Sequence, residues 1–128
     1  MVKKTILVVD NDAAALRILA ETLQENYEVL IASDGVNAAY VYERNVDRIA
    51  ALVTDLNMPR LDGGALSEWV HHIRPGLPII IMSGNLRKQV SETLKGMTAT
   101  CFVGKPFEPV RLEAVLRDVL QRVAGETM

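Results

Sequence analysis

The stretch TILVVDND, from Thr5 to Asp12, decides the fold. Its first half, Thr5 to Val9, is a continuous run of apolar and β-branched residues rather than an alternating one. A continuous run is typical of a strand that is buried on both faces of a parallel sheet. Acidic residues follow at once, so the stretch predicts a buried strand whose carboxyl end opens into a polar loop.

Further apolar runs recur along the chain with amphipathic stretches between them. The predicted strands after the first are residues 28–32, 49–54, 78–82 and 100–103. The predicted helices are residues 15–23, 36–44, 64–73, 86–94 and 109–123. Strands that alternate with helices predict an α/β fold, here a doubly wound five-stranded parallel sheet with helices on both faces.

Length and composition restrict the class of protein. The 128 residues predict one domain, 1–128, with a core of about 4–123, and 49% hydrophobic but only 5% aromatic residues predict an aliphatic core. With a net charge of −2, the chain lacks the basic surface of a nucleic-acid binder, so no direct nucleic-acid ligand is expected. The single cysteine excludes an internal disulfide framework and a multi-cysteine zinc site.

Targeting and membrane segments are not expected. The first apolar run ends at Asp10, which makes it too short for a secretory signal, and no run approaches the roughly 18 residues of a membrane span. We therefore expect no membrane association and a cytoplasmic location.

Polar residues follow the predicted strands at the point where each strand ends. In an open α/β sheet, ligands bind outside the carboxyl ends of the strands. The residues expected at this edge are Asp10, Asn11, Asp12, Asp55, Asn57, Ser83, Gly84 and Lys105. The sequence thus predicts that carboxylates, a hydroxyl and one lysine converge there.

This set of residues indicates the kind of ligand. Carboxylates without Cys or His favour a hard cation, of which Mg²⁺ is the first candidate beside a phosphoryl group. An acidic first loop would repel a phosphate unless a cation intervened, and Lys105 can neutralise phosphoryl oxygens. The pattern favours transfer of a phosphoryl group onto a carboxylate. Asp12, just before a helical stretch, is better explained as a helix N-cap.

Four segments of the chain resemble the receiver domain of bacterial two-component response regulators. They are ILVVDND (residues 6–12), LVTDLNMPRLDG (52–63), PIIIMSG (78–84) and FVGKPF (102–107). Their order and approximate spacing cover nearly the full length. The resemblance implies a flavodoxin-like sheet with strand order 2-1-3-4-5.

The resemblance also implies a role for each matching residue. Asp55 would be the phosphoacceptor, which takes its phosphoryl group from a phosphohistidine on a sensor histidine kinase or phosphotransfer protein. Asp10, Asp55 and the backbone carbonyl of Asn57 would hold Mg²⁺. Ser83 would hydrogen-bond the phosphoryl oxygens and Lys105 would form a salt bridge with them. The protein would then be a regulatory phosphoacceptor rather than an enzyme.

A switch and a partner surface are implied as well. Ser83 and the aromatic residue Phe102 would form the switch, and a downstream protein target would bind through residues 85–123. The Lys105–Pro106 peptide bond would be cis. The resemblance leaves the pairing of two copies through the same surface open.

One departure from the family pattern leaves the function open to two alternatives. Asn11 stands where a second metal-binding aspartate is usual, and its amide oxygen brings no charge, so we expect a weaker Mg²⁺ ligand. The chain could then be a degenerate receiver that binds partners without phosphorylation. A third reading is a phosphohydrolase with Asp10 as nucleophile and Asp12 as acid, which leaves the DLNMPRLDG match unexplained.

Overall fold

A computed structural model describes residues 2–84 and 100–126 of the chain, with side chains through residue 123. The strands are β1 Lys4–Val9, β2 Tyr27–Ala32, β3 Ile49–Asp55, β4 Ile79–Ser83 and β5 Cys101–Gly104. The helices are α1 Ala13–Leu23, α2 Gly35–Arg44, α3 Gly63–Ile73 and α4 Pro109–Glu126. All five predicted strands and four predicted helices are confirmed, with small shifts at their ends. The other predicted helix, 86–94, lies outside the described residues.

The five strands form one parallel sheet in the order β2-β1-β3-β4-β5, as predicted. Successive residues of the inner strands point to opposite faces, so a continuous apolar run fills two cores. Ile6 and Val8 pack with α1 and α4 on one face, and Leu7 and Val9 pack with α2 and α3 on the other. This arrangement is why the inner strands contain so few polar residues.

An aspartate begins each of the first three helices. Asp12, Asp34 and Asp62 have extended backbone. The Asp12 carboxylate accepts two backbone N–H groups from the first turn of the helix that follows, and the other two carboxylates accept one each. Such N-caps satisfy donors that have no partner within the helix. The N-cap interpretation of Asp12 is therefore confirmed.

None of the helices in the described part of the chain combines the length and apolar character that crossing a bilayer requires.

A buried tyrosine provides a test of the core on the α2/α3 face. Tyr42 is fully buried against Trp69, with ring centroids 5.8 Å apart in an edge-on contact. Its hydroxyl has no hydrogen-bond partner among residues 2–84 and 100–126. Because an unpaired buried hydroxyl is destabilising, Tyr42→Phe should raise the free energy of unfolding by about 1 kcal/mol.

Urea denaturation measures this change, and Tyr40→Phe is the matched control. Tyr40 is exposed and its hydroxyl accepts a hydrogen bond from Arg44, so its loss should change stability by less than about 0.5 kcal/mol. A loss of stability in Tyr42→Phe would show that the buried hydroxyl is hydrogen-bonded after all.

Candidate functional site

The parallel register brings the polar ends of four strands to one edge of the sheet. Asp55, the last residue of β3, pairs with Met82, and Ser83, the last residue of β4, pairs with Gly104. The backbone N–H of Lys105 then donates to the Ser83 carbonyl at 2.7 Å. The strand pairing therefore places the Lys105 backbone beside the end of β4, and the long side chain reaches across to the carboxylates that follow β1 and end β3.

The Lys105 ammonium joins the two central carboxylates. Its Nζ lies 2.9 Å from Asp10 Oδ2 and 3.4 Å from Asp55 Oδ2. Asp10 is fully buried, and its other oxygen, Oδ1, accepts the backbone N–H of Asp12 at 2.9 Å. Both Asp10 oxygens are thus paired, as a buried charge requires. The Asp55 side chain keeps 10% of its surface exposed.

Burial and neighbouring charges together raise the pKa values of both Asp55 and Lys105. Burial, supported by the negative charge of Asp10, raises the pKa of Asp55, although Lys105 and the backbone N–H of Asn57 oppose this shift. Burial acts to lower the pKa of Lys105, but the hydrogen bond to Asp10 and the attraction of both carboxylates outweigh it and raise the pKa. Lys105 therefore stays charged, while the Asp55 carboxylate is more basic than that of an exposed aspartate.

The loop after β3 surrounds Asp55. It is closed by a hydrogen bond of 2.8 Å from the Gly63 N–H to the Leu56 carbonyl. Gly63 lies so close to the end of β3 that a Cβ there would be 2.2 Å from the Asp55 carbonyl oxygen. The Asn57 N–H donates to the Asp55 carboxylate. A backbone N–H of this loop therefore holds the carboxylate, and the close approach of Gly63 fixes the backbone that carries it.

The remaining predicted residues lie around this centre. Ser83 is fully buried at the end of β4, and the Lys105–Pro106 peptide bond is cis, as the resemblance implies. Phe102 is partly buried and packs on the α2/α3 face. Asn11 is exposed. Within the described residues, no three Asp, Glu, His or Cys side chains form a group that could hold a metal by themselves.

A groove of about 540 Å³ adjoins the site between α1 and the loop that follows β5. Asp10, Asp12 and Lys105 line it together with apolar residues that include Ile18 and Phe107. The groove therefore places these charged side chains beside an apolar wall.

Sequence reasoning missed one part of the site, the contact between the loops after β2 and β3. Arg60 Nη2 lies 3.2 Å from Asp34 Oδ1, and a Cβ on Gly35 would be 2.0 Å from the Leu61 carbonyl oxygen. The dipeptide Asp-Gly occurs at 34–35 and again at 62–63, each time where a helix begins. This repeated pair marks where the two helices begin, but it does not indicate that the two loops contact each other.

Comparison with known proteins agrees with this geometry. The pattern of the response regulator receiver domain matches residues 6–117. The chain therefore belongs to the response regulator receiver domain family, whose members act in two-component signal transduction.

Two curated relatives illustrate the similarity. Response regulator MprA of Mycobacterium leprae (strain TN) is 38% identical over 120 residues, which cover 91% of this chain and 51% of that protein. Probable transcriptional regulator ycf27 of Porphyridium aerugineum is 36% identical over 126 residues, 96% of this chain and 50% of that protein. The chain thus spans about half the length of the curated relatives it matches.

Solved structures show the same fold. A CheY-like receiver domain protein from Methanospirillum hungatei JF-1 has a TM-score of 0.85 at 27% identity, covering 97% of this chain and 98% of that one. A response regulator receiver domain protein from Clostridium thermocellum has a TM-score of 0.84 at 25% identity, covering 98% and 99%.

Proposed function

We propose that this chain accepts a phosphoryl group on Asp55 from the phosphohistidine of a sensor histidine kinase or phosphotransfer protein. The observation that carries the proposal is the contact of Lys105 Nζ with both Asp55 Oδ2, at 3.4 Å, and Asp10 Oδ2, at 2.9 Å. An ammonium in that position can offset the charge of an incoming phosphoryl group. The chain is then a regulatory phosphoacceptor rather than an enzyme that turns over a substrate.

The proposed reaction is a simple displacement at phosphorus. An Asp55 carboxylate oxygen attacks the phosphorus, the bond from phosphorus to the histidine nitrogen breaks, and its electron pair stays on the imidazole. The product is an acyl phosphate on Asp55. Lys105 forms a salt bridge with the phosphoryl oxygens and the Ser83 hydroxyl donates to one of them. These contacts screen the charge that the transfer brings to the site.

The oxygen donors of the site fit a hard cation such as Mg²⁺. Two carboxylates face one ammonium, so the site already accommodates a positive charge between them. Asp10, Asp55 and the Asn57 carbonyl would hold the ion, with a weak contribution from the Asn11 amide. The ion supplies positive charge that offsets the repulsion between the carboxylates and a phosphoryl group.

Asn11→Asp is expected to tighten Mg²⁺ binding about tenfold, because a carboxylate adds a charged oxygen ligand where the amide is neutral. Isothermal titration with MgCl₂ measures the dissociation constant. Gln121→Glu is the matched control: it adds the same charge at an exposed position in the second half of α4 and should leave the constant unchanged. An unchanged constant in Asn11→Asp would show that residue 11 does not face the ion.

The switch and the surfaces for partners complete the proposal. Phosphorylation would shift an equilibrium between two packings of Ser83 and Phe102 and so change a surface within residues 85–123. The described part of that surface is β5 with α4, and the groove beside Lys105 is the approach for the donor. We propose that the chain forms one domain with a core of residues 4–123 and that it acts in the cytoplasm, where its phosphoryl donor also lies.

A degenerate receiver that only binds partners is the second candidate, and Asn11 is the observation that favours it. Incubation with a small acyl phosphate and MgCl₂, followed by intact mass measurement, separates the two functions. Active phosphorylation predicts a gain of one phosphoryl group that hydroxylamine removes. Folded protein that gains no mass would contradict the phosphoacceptor function and favour the degenerate receiver.

A further inference from the structure

The loop after β3 contains a backbone turn that L-residues rarely adopt. Arg60 has a φ of 70°, and the Leu61 N–H donates across it to the Pro59 carbonyl at 2.8 Å. A hydrogen bond from residue i+2 to residue i with a positive φ between them defines the rare, strained form of the γ-turn. Such a turn persists only where its surroundings hold it in place.

The loop after β2 supplies those surroundings. Arg60 Nη2 lies 3.2 Å from Asp34 Oδ1, and the same oxygen accepts the Asn37 N–H at 2.8 Å as the N-cap of α2. Gly35 lies against the Leu61 carbonyl, with no room for a Cβ. The strained turn is therefore held by an ion pair at Arg60 and by direct backbone contact at Leu61.

The turn is connected to Asp55 through very few bonds. The Asn57 N–H donates to the Asp55 carboxylate, and only Met58 and Pro59 separate Asn57 from Arg60. Proline has a restricted φ, which limits how far this short segment can absorb a change in the turn. A relaxed turn at Arg60 would therefore displace the Asn57 N–H and the carboxylate that it holds.

We propose that Asp34 and Arg60 act as a positioning pair that holds the γ-turn and so keeps the Asp55 carboxylate oriented for phosphoryl uptake. This inference rests on the proposed function. Neither residue is catalytic, because both act on Asp55 only through the backbone of the loop. An exposed ion pair adds little to global stability, and the Arg60 side chain is 58% exposed. We therefore expect loss of the pair to alter the loop and not the free energy of unfolding of the whole domain.

Arg60→Ala and Arg60→Gly separate the ion pair from the strain. Alanine removes the pair but keeps the Cβ that opposes a positive φ, whereas glycine removes both. Amide hydrogen exchange at Asn57 and Leu61 is expected to be about fivefold faster in Arg60→Ala, and Asp55 labelling by a small acyl phosphate slower by a similar factor. Both rates should stay within about twofold of wild type in Arg60→Gly.

A double-mutant cycle tests whether Asp34 acts through Arg60. Asparagine caps a helix as well as aspartate does, so Asp34→Asn keeps the start of α2 and removes only the charge. It should speed amide exchange when Arg60 is present and have no effect in the Arg60→Gly background. Glu28→Gln is the matched control, because it breaks the exposed Glu28–Arg48 pair of 3.3 Å at the start of β2. That change should leave both rates unaltered.

Two results would overturn the positioning pair: unchanged amide exchange in Arg60→Ala, or an equal effect of Asp34→Asn in both backgrounds. Amide exchange does not depend on phosphorylation, so it distinguishes the two proposals. If wild type gains no phosphoryl group while exchange follows the expected cycle, the proposed function fails and the loop-holding role of the pair stands.

Discussion

Asp55→Asn is expected to abolish phosphoryl uptake from a small acyl phosphate, with no mass gain under conditions that fully modify the wild type. The amide has no anionic oxygen to attack phosphorus, whereas the Asp55 carboxylate is made more basic by burial and by Asp10. The variant should also be at least as stable as the wild type. Folding raises the pKa of Asp55, so the charged carboxylate costs stability at neutral pH and a neutral amide does not.

Urea denaturation and intact mass together make this result specific. If Asp55→Asn is stably folded but takes up no phosphoryl group, then Asp55 is the acceptor, because unfolding cannot explain the loss. The matched control is Asp12→Asn, which removes a nearby carboxylate but keeps a residue able to cap α1. It should be labelled like the wild type.

These two variants, together with Asp10→Asn, test whether the chain is instead a phosphohydrolase that uses Asp10 and Asp12. Such an enzyme would turn over an aryl phosphate, keep that activity in Asp55→Asn and lose it in Asp10→Asn or Asp12→Asn. In the structure Asp12 instead caps α1, because its Oδ1 accepts the Ala14 and Ala15 N–H groups at 3.0 and 3.2 Å. Labelling that survives Asp55→Asn would contradict the assignment of the acceptor.

Gly63→Ala is expected to lower the free energy of unfolding by about 3 kcal/mol or more. The new Cβ would lie 2.2 Å from the Asp55 carbonyl oxygen and 2.9 Å from the Leu56 Cα. Both are backbone atoms at the end of β3, so no side-chain rotation can relieve the contact. The strand end that carries Asp55 would have to move, and labelling of Asp55 should slow even in the molecules that remain folded.

Gly76→Ala is the control for this substitution. A Cβ at Gly76 would meet no atom within 4 Å, so the same chemical change should be neutral or slightly stabilising. Urea denaturation of both variants at one temperature measures the difference. A Gly63→Ala protein within about 0.5 kcal/mol of wild type would show that Gly63 does not lie in close contact with the end of β3.

Much of the fold could be predicted because its signals are local. The run Thr5 to Val9 must be buried on two faces, and the structure places its residues alternately in two cores. Asp12 was identified as an N-cap because a cap depends on the next few residues only. The groups at the sheet edge followed from topology, since parallel strands end at a common edge.

Contacts between distant loops could not be predicted in this way. Asp34 and Arg60 each belong to an unremarkable polar loop, and nothing in either segment reveals the partner. The positive φ of Arg60 was equally hidden, because a non-glycine residue there contradicts local preference.

The sequence by itself determined the parallel sheet, the helix starts and the set of chemical groups at its edge, because burial pattern and capping act over a few residues. Only the tertiary structure decided that one ammonium, separated from Asp10 by 95 positions, lies between Asp10 and Asp55. Electrostatic pairing depends on distances of a few ångströms, and those distances exist only once the strands are in register.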